Sequence, residues 1–322
     1  MAKHRILITR KWPEACEARA ARDYDARLNT EDAVLSPAEL AEALQSYDAV
    51  CPTVTDSLSA DLFAGDPRTR VIGNFGVGFN HIDVAAARAA GITVTNTPGV
   101  LTDCTADIAL TLMLMAMRRT AEGERLVRAG GWDGWKPTQL IGSKLSGKTL
   151  GILGMGRIGI ATARRAQHGF GMKVIYYNRS EVAPERLAGL EAERRGSIEA
   201  VCAEADVVSL HMPGGGDNTG MIGAEALAAL GPEGVLVNTA RGDVIDEPAL
   251  IRALQSGAIR GAGLDVYAEE PHVPEALRAL ENVVLLPHMG SATAETREAM
   301  GHMVLDNLDA FFAGRAVPNA VG

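Results

Sequence analysis

The stretch TLGILGMGRIGIATARRA, beginning at Thr149, limits the possible folds of this chain more than any other. An apolar, strand-like run leads into Gly154-x-Gly156-x-x-Gly159, and a helix-like run leads out. The glycine pattern alone is weak; between a strand and a helix it is the first turn of a βαβ unit. The first glycine permits the tight turn, the second lets backbone approach a pyrophosphate, and the third lets helix pack on strand. N–H groups and the dipole at the helix N-terminus then attract phosphate. Gly154, Met155, Gly156, Arg157, Ile158 and Gly159 are therefore expected to hold a dinucleotide. An ordinary glycine-rich βα turn is the competing explanation, and the flanking strand and helix weigh against it.

Strand and helix patterns alternate on both sides of this turn, which predicts an α/β chain with parallel sheets covered on both faces. After the turn, strands are expected near 173–177, 206–210, 234–238, 261–265 and 283–286, six in all with 149–153. Before it, RILITR, DAVCPTVTD, TRVIG and ITVTNTP read as strands, and a helix is expected from about Ser36 to Gln45. Pro98-Gly99 closes the first block, and Thr102 or Asp103 is a plausible cap for the helix that follows. The segment RAGGWDGWKPTQLIGSKLSG reads as a long connection. A last helix lies after His288 and ends at Gly314. The predicted division is residues 1–100 with 290–322 as one domain, and 101–289 as a dinucleotide-binding domain inserted in it.

At 322 residues the chain is long enough for two domains. With 47% hydrophobic and 22% charged residues it can bury substantial cores. A net charge of −9 argues against a general nucleic-acid binder. Cys16, Cys51, Cys104 and Cys202 are far apart and suggest neither a disulfide framework nor a zinc site, so no metal is expected. The longest apolar run, Ile108 to Met117, is too short to span a bilayer. MAKHRILITR shows no signal-peptide core, and a cytoplasmic protein is expected.

About 20 residues past a fingerprint of this kind, an Asp or Glu usually accepts from the ribose hydroxyls of NAD. Here the place holds Asn178, followed by Arg179 and Ser180. Asn removes the charge that would repel a 2′-phosphate, and Arg179 can meet that phosphate with charge-assisted hydrogen bonds. NADPH is therefore the expected cofactor, with NADH the weaker alternative. The competing explanation is an arginine that stacks on adenine or lies in solvent.

Ligands of open α/β sheets sit outside the carboxyl ends of the strands. Three polar residues stand directly after strand runs there: Arg241 after GVLVNTA, Glu270 after GAGLDVYAE, and His288 after NVVLLP. A cation can hold and polarise an anionic oxo acid. A histidine can protonate its carbonyl oxygen as hydride arrives, and a carboxylate can orient that histidine and favour its charged form. Each residue alone has an ordinary structural explanation; the three together behind a cofactor fingerprint do not. Among the other histidines, His4, His168, His272 and His302 read as surface or helix positions. His211 lies at a strand end without a carboxylate partner, and His81 follows a glycine loop that can line a substrate mouth.

The motifs GILGMGRIGIATARRA, LVNTARGDVIDEPAL, GAGLDVYAEEP and LLPHMGSAT together resemble the D-isomer-specific 2-hydroxyacid dehydrogenases, over essentially the whole length. That resemblance implies a Rossmann domain inserted in a flavodoxin-like substrate domain, a cleft between them, and a dimer. It implies catalytic roles for Arg241, Glu270 and His288. NFGVGFNHIDV resembles the family's substrate loop, whose amides hold a carboxylate, here Val77 and Gly78. Further cofactor contacts are expected at Pro213, Thr239, Ala240, Asp265 and Gly290. GGWDGWKP with NRS most resembles glyoxylate/hydroxypyruvate reductases, in which a tryptophan, here Trp132 or Trp135, reaches the partner's active site. The other readings are an NAD-dependent D-lactate or phosphoglycerate type, and a dinucleotide sensor without turnover. No Lys or Arg lies between Val71 and His81 to bind a substrate phosphate, and little chain follows the last helix to form a regulatory domain. A short-chain reductase is excluded, since neither Tyr176 nor Tyr267 has a lysine four residues on.

Overall fold

A computed structural model describes residues 3–322 and divides them into two compact units. The first runs to Leu101 and resumes at Ala292–Gly322; the second is Thr102–Ser291. Thirteen strands form among the described residues: β1 (Arg5–Ile8), β2 (Asp25–Leu28), β3 (Ala49–Cys51), β4 (Val71–Gly73), β5 (Thr93–Thr95), β6 (Thr149–Leu153), β7 (Lys173–Tyr177), β8 (Ala192–Arg194), β9 (Val207–Leu210), β10 (Val235–Asn238), β11 (Gly261–Leu264), β12 (Val283–Leu285) and β13 (Ala320–Val321).

The second unit has one parallel sheet in the order β12-β11-β10-β9-β6-β7-β8. Read from β8, this is the 3-2-1-4-5-6 order of a doubly wound dinucleotide domain with one strand added. The order reverses between β6 and β9, so the glycine turn after β6 stands at the switch point. Leu150, Ile152, Val174, Val207, Val235 and Val237 pack on one face, among residues of the helices Thr102–Arg118 and Arg157–Phe170. Leu153, Ile175, Val208, Leu236 and Ala262 pack on the other, with the helices Ile198–Glu204, Ala224–Leu230 and Glu247–Ser256. A sheet buried on both faces needs apolar residues in both orientations, which is why these strands read as continuous apolar runs. The sequence predicts six strands here, and the structure holds a seventh. β8 is Ala-Glu-Arg on the sheet edge, largely exposed, and so carries no apolar signal.

The first unit has the sheet order β13-β5-β4-β3-β1-β2, parallel except for β13 against β5. β2-β1-β3-β4-β5 is the flavodoxin order. The helix Ala294–Phe312 buries Met300, Val304, Leu305 and Leu308 in a core with Ile6, Ile8 and Val71. Arg19 fastens it to the helix Glu14–Asp23 through Asp306 and Asp309, each at 2.7 Å. Among the described residues no helix is long and apolar enough to cross a membrane.

Candidate active site

The three fingerprint glycines answer to different constraints. Gly154 has φ +95°, and a Cβ there would lie 2.7 Å from the His211 carbonyl where β9 ends. A Cβ on Gly159 would lie 2.3 Å from the Gly154 carbonyl oxygen. The chain's own packing therefore demands both. Gly156 differs: a Cβ there would meet nothing within 4 Å. It caps the helix Arg157–Phe170, and no side chain bonds the amides of the first turn. Space and N–H groups at a helix start fit a phosphate group from outside the chain. Thr239, just after β10, adds a buried hydroxyl without a partner among the described residues, another polar atom suited to a ligand.

Asn178 works first as a brace. Its Oδ1 accepts from the Met155 N–H at 3.0 Å, and its Nδ2 donates to the Ser180 carbonyl at 2.9 Å. The Met155 amide is thereby used internally, and the end of β7 is tied to the glycine turn. Arg179 Nη2 donates to Asn218 Oδ1 at 2.7 Å, and Asn218 in turn donates to the Pro213 carbonyl at 2.9 Å. Arg194, at the end of β8, donates to the Asn178 carbonyl at 3.0 Å. Both arginines are exposed and neither forms an ion pair among the described residues, so two uncompensated guanidiniums flank the Asn178–Ser180 turn. The sequence reading misses Arg194, whose only signal is an Arg-Arg pair of a kind common on surfaces.

β10, β11 and β12 end side by side and carry the other residues. Fully buried Asn238 shapes the first turn: it accepts from the Ala240 N–H at 2.9 Å and donates to the Arg241 carbonyl at 2.8 Å. Arg241 is partly buried and donates to the Ala240 carbonyl at 2.7 Å. Burial pulls its pKa below the ordinary value, while Glu270 and Asp243 pull it back up. A guanidinium starts so high that the charge is retained.

His288 stands at φ +54°, a left-handed conformation uncommon outside glycine. Asp265 holds that turn. Its carbonyl accepts from the His288 N–H at 2.9 Å, and its two carboxylate oxygens accept from Met289 and Gly290 at 2.6 and 2.8 Å. Burial raises the Asp265 carboxyl pKa, and those amides and His288 oppose the rise. Asp265 and Gly290 are thus parts of the clamp on His288. His288 Nδ1 lies 2.7 Å from Glu270 Oε2, and Glu270 Oε1 accepts from the Tyr267 N–H at 3.1 Å. Burial alone would raise the Glu270 pKa; the hydrogen bond and charge of His288 outweigh it and hold it below the usual value. A carboxylate only accepts, so Nδ1 carries the hydrogen and Nε2 is the nitrogen turned elsewhere.

In the first unit, Val77 and Gly78 lie on the loop after β4, partly buried. His81 Nε2 is 3.0 Å from Asn74 Oδ1 at the base of that loop. His211 is half-buried with its Nε2 2.9 Å from Ser209 Oγ, and burial pushes its pKa down to about 3, so it stays neutral. Trp132 and Trp135 are 54% and 81% exposed.

Residues 110–290 match the family model described as D-isomer specific 2-hydroxyacid dehydrogenase, NAD binding domain. A glyoxylate reductase of Thermococcus litoralis is 44% identical, covering 99% of this chain and 97% of that protein. A glycerate dehydrogenase of Hyphomicrobium methylovorum is 37% identical, covering 98% of each. Among solved structures, an NADPH-dependent glyoxylate/hydroxypyruvate reductase from Sinorhizobium meliloti, in complex with NADP and malonate, superposes with a TM-score of 0.86. It is 36% identical, covering 100% of this chain and 97% of that one. The seven-stranded dinucleotide sheet, the glycine turn and these full-length likenesses lead to one conclusion: the chain belongs to the D-isomer-specific 2-hydroxyacid dehydrogenase family and carries its NAD-binding domain.

Proposed function

We propose that this protein reduces small 2-oxo acids, chiefly glyoxylate and hydroxypyruvate, to 2-hydroxy acids with NADPH. The observation that carries the reading is the 2.7 Å pair of His288 and Glu270. Arg241 ends the strand beside Glu270's own. The reduced nicotinamide, when bound, supplies hydride to the substrate carbonyl carbon. His288 Nε2–H gives the proton to the carbonyl oxygen, so that one hydride and one proton complete the alcohol. Glu270 keeps the imidazole in the correct tautomer and favours its charged form. Arg241 holds the carboxylate and polarises the carbonyl, and the amides of Val77 and Gly78 receive the carboxylate. Gly154 to Gly159, Thr239 and Ala240 hold the dinucleotide.

Preference for the 2′-phosphate rests on Arg179 and Ser180, with Arg194 as a second cation. The Sinorhizobium relative is described as NADPH-dependent and was solved with NADP, which supports this choice. A homodimer is proposed as well. Its support is the exposed apolar set Val127, Trp132, Trp135 and Ile141, more than a lone globular surface usually leaves in one segment. Cys16, Cys51, Cys104 and Cys202 form no disulfide among the described residues, which supports a reducing, cytoplasmic setting.

The test is the initial rate of NADPH oxidation across a series of 2-oxo acids, repeated with NADH. Glyoxylate and hydroxypyruvate are expected to give the highest kcat/KM, and NADPH to be preferred. Equal or better rates with NADH would overturn the cofactor assignment. No turnover with any small 2-oxo acid would overturn the whole reading.

A further inference from the structure

The loop after β4 is held by its carbonyls. Fully buried Asn74 donates through Nδ2 to the carbonyls of Gly76 at 3.1 Å and Gly78 at 3.0 Å. The Thr97 N–H also donates to Gly76, at 3.0 Å. Buried Asn96 donates through Nδ2 to the Val77 carbonyl at 2.8 Å. Three successive carbonyls are thus drawn toward groups that directly follow β4 and β5. His81 Nε2, at 3.0 Å from Asn74 Oδ1, fixes which way the Asn74 amide faces.

A trans peptide is planar, and its N–H points opposite to its carbonyl. The only cis bond among the described residues is Glu270–Pro271, so the loop peptides are trans. Fixing the Gly76 carbonyl therefore turns the Val77 N–H away from the strand ends. Fixing the Val77 carbonyl does the same to Gly78, and fixing Gly78 does it to Phe79. None of these three N–H groups has an acceptor among the described residues. Consecutive backbone N–H groups without partners are uncommon in folded chains, and they suit an anion.

We infer that Asn96 and Asn74 are positioning residues for substrate. By bonding the loop carbonyls they present the N–H groups of Val77, Gly78 and Phe79 to the substrate carboxylate. This rests on the proposed role of Val77 and Gly78 and adds both the third donor and the side chains that orient all three. The Asn96 carboxamide bonds the Val77 carbonyl directly, so its loss frees the Val77–Gly78 peptide to rotate.

The experiment uses the full-length protein labelled with 15N-valine and 15N-glycine, with oxalate as the carboxylate probe and NADPH present, in wild type and Asn96→Ala. In wild type, saturating oxalate is expected to move the Val77 and Gly78 amide resonances. In Asn96→Ala the Gly78 response should be lost. KM for glyoxylate should rise about tenfold to a hundredfold, as expected for misplacing a hydrogen bond to a charged group. kcat and KM for NADPH should stay within about threefold. Asn96→Ser, which keeps a hydroxyl donor, should recover part of the loss, and it carries the same readout if the alanine variant does not fold. Silent amides in wild type would overturn the carboxylate reading of the loop itself. Responding amides with unchanged KM in Asn96→Ala would leave that reading standing and overturn the positioning role. Equal damage to kcat, to KM for NADPH and to thermal stability would reduce Asn96 to a purely structural residue.

Discussion

Glu270→Gln is the sharpest test of how the proton is controlled, because Gln matches Glu in shape and removes only its charge. In the native site one oxygen accepts from His288 Nδ1 at 2.7 Å and the other from the Tyr267 N–H at 3.1 Å. In the variant the Tyr267 N–H claims the amide oxygen, so the amide NH2 faces Nδ1. Nδ1 must then act as an acceptor, which a protonated imidazole cannot do. The lost Coulomb attraction at this separation is about 6 kcal/mol at an effective dielectric of 20. Both side chains are about one-third exposed, which screens it to about 1–2 kcal/mol. A loss of that size slows proton delivery about tenfold, at 1.36 kcal/mol per factor of ten. Loss of activity at pH 7.5 should be about tenfold to a hundredfold. The assay is kcat/KM for glyoxylate with NADPH from pH 5.5 to 9.5. Stability gives a separate acid-side sign. The folded pKa of Glu270 is depressed, so its contribution is complete above the unfolded value of about 4.3 and fades as pH falls through the folded value. The variant should lose that part of the acid dependence. A folded variant that keeps kcat/KM within about twofold of wild type at pH 7.5 would refute control of the proton by Glu270, since the lost attraction requires a larger drop.

Arg179→Ala should raise KM for NADPH about tenfold or more while leaving KM for NADH within about twofold, and Arg194→Ala should do the same more weakly. Equal changes with both cofactors would remove the phosphate role. Gly156→Ala should leave the melting temperature nearly unchanged, because its Cβ meets nothing, yet weaken cofactor binding measured by fluorescence titration. Gly159→Ala should instead destabilise the fold by about 1–3 kcal/mol, read by denaturant unfolding, because its Cβ collides with backbone. Light scattering of the purified protein should give twice the 33.9 kDa chain mass, and a monomer would refute the dimer.

Some of this site is legible in the sequence because doubly buried parallel strands leave a strong signal. β10 and β11 are buried at every residue and β12 at all but its last, so the polar groups that follow them stand out by contrast. Arg241, Glu270 and His288 are marked in this way, and the structure places the last two in hydrogen-bond contact. β8 lacks that contrast. It sits on the sheet edge with polar side chains, and Arg194 is hidden along with it. Asp265 shows a different limit. Its position after β11 marks it as a ligand candidate, but its partners are the amides of Met289 and Gly290, 24 and 25 residues away. No local pattern records such a bond.

The same reasoning separates the asparagine sites from the charged ones. A charge at a strand end is conspicuous because burying it is costly unless it does something. A buried asparagine is cheap once its amide is satisfied, so Asn74, Asn96 and Asn238 draw no notice in a sequence, whereas Asn178 stands out only because an acid is expected there. Yet Asn178 ties the glycine turn to β7, Asn238 shapes the Arg241 turn, and Asn74 with Asn96 holds the loop carbonyls. Each braces backbone that faces a proposed ligand group, and each uses both the donor and the acceptor character that only a carboxamide offers at that length or, for Asn96, the donor alone. Replacing Asn178 by Asp would keep the bond to the Met155 N–H and lose the donation to Ser180. The proposed preference for NADPH gives one reason for the missing acid after β7, since Asn would not repel a 2′-phosphate; the donor that an ionised Asp lacks gives a second.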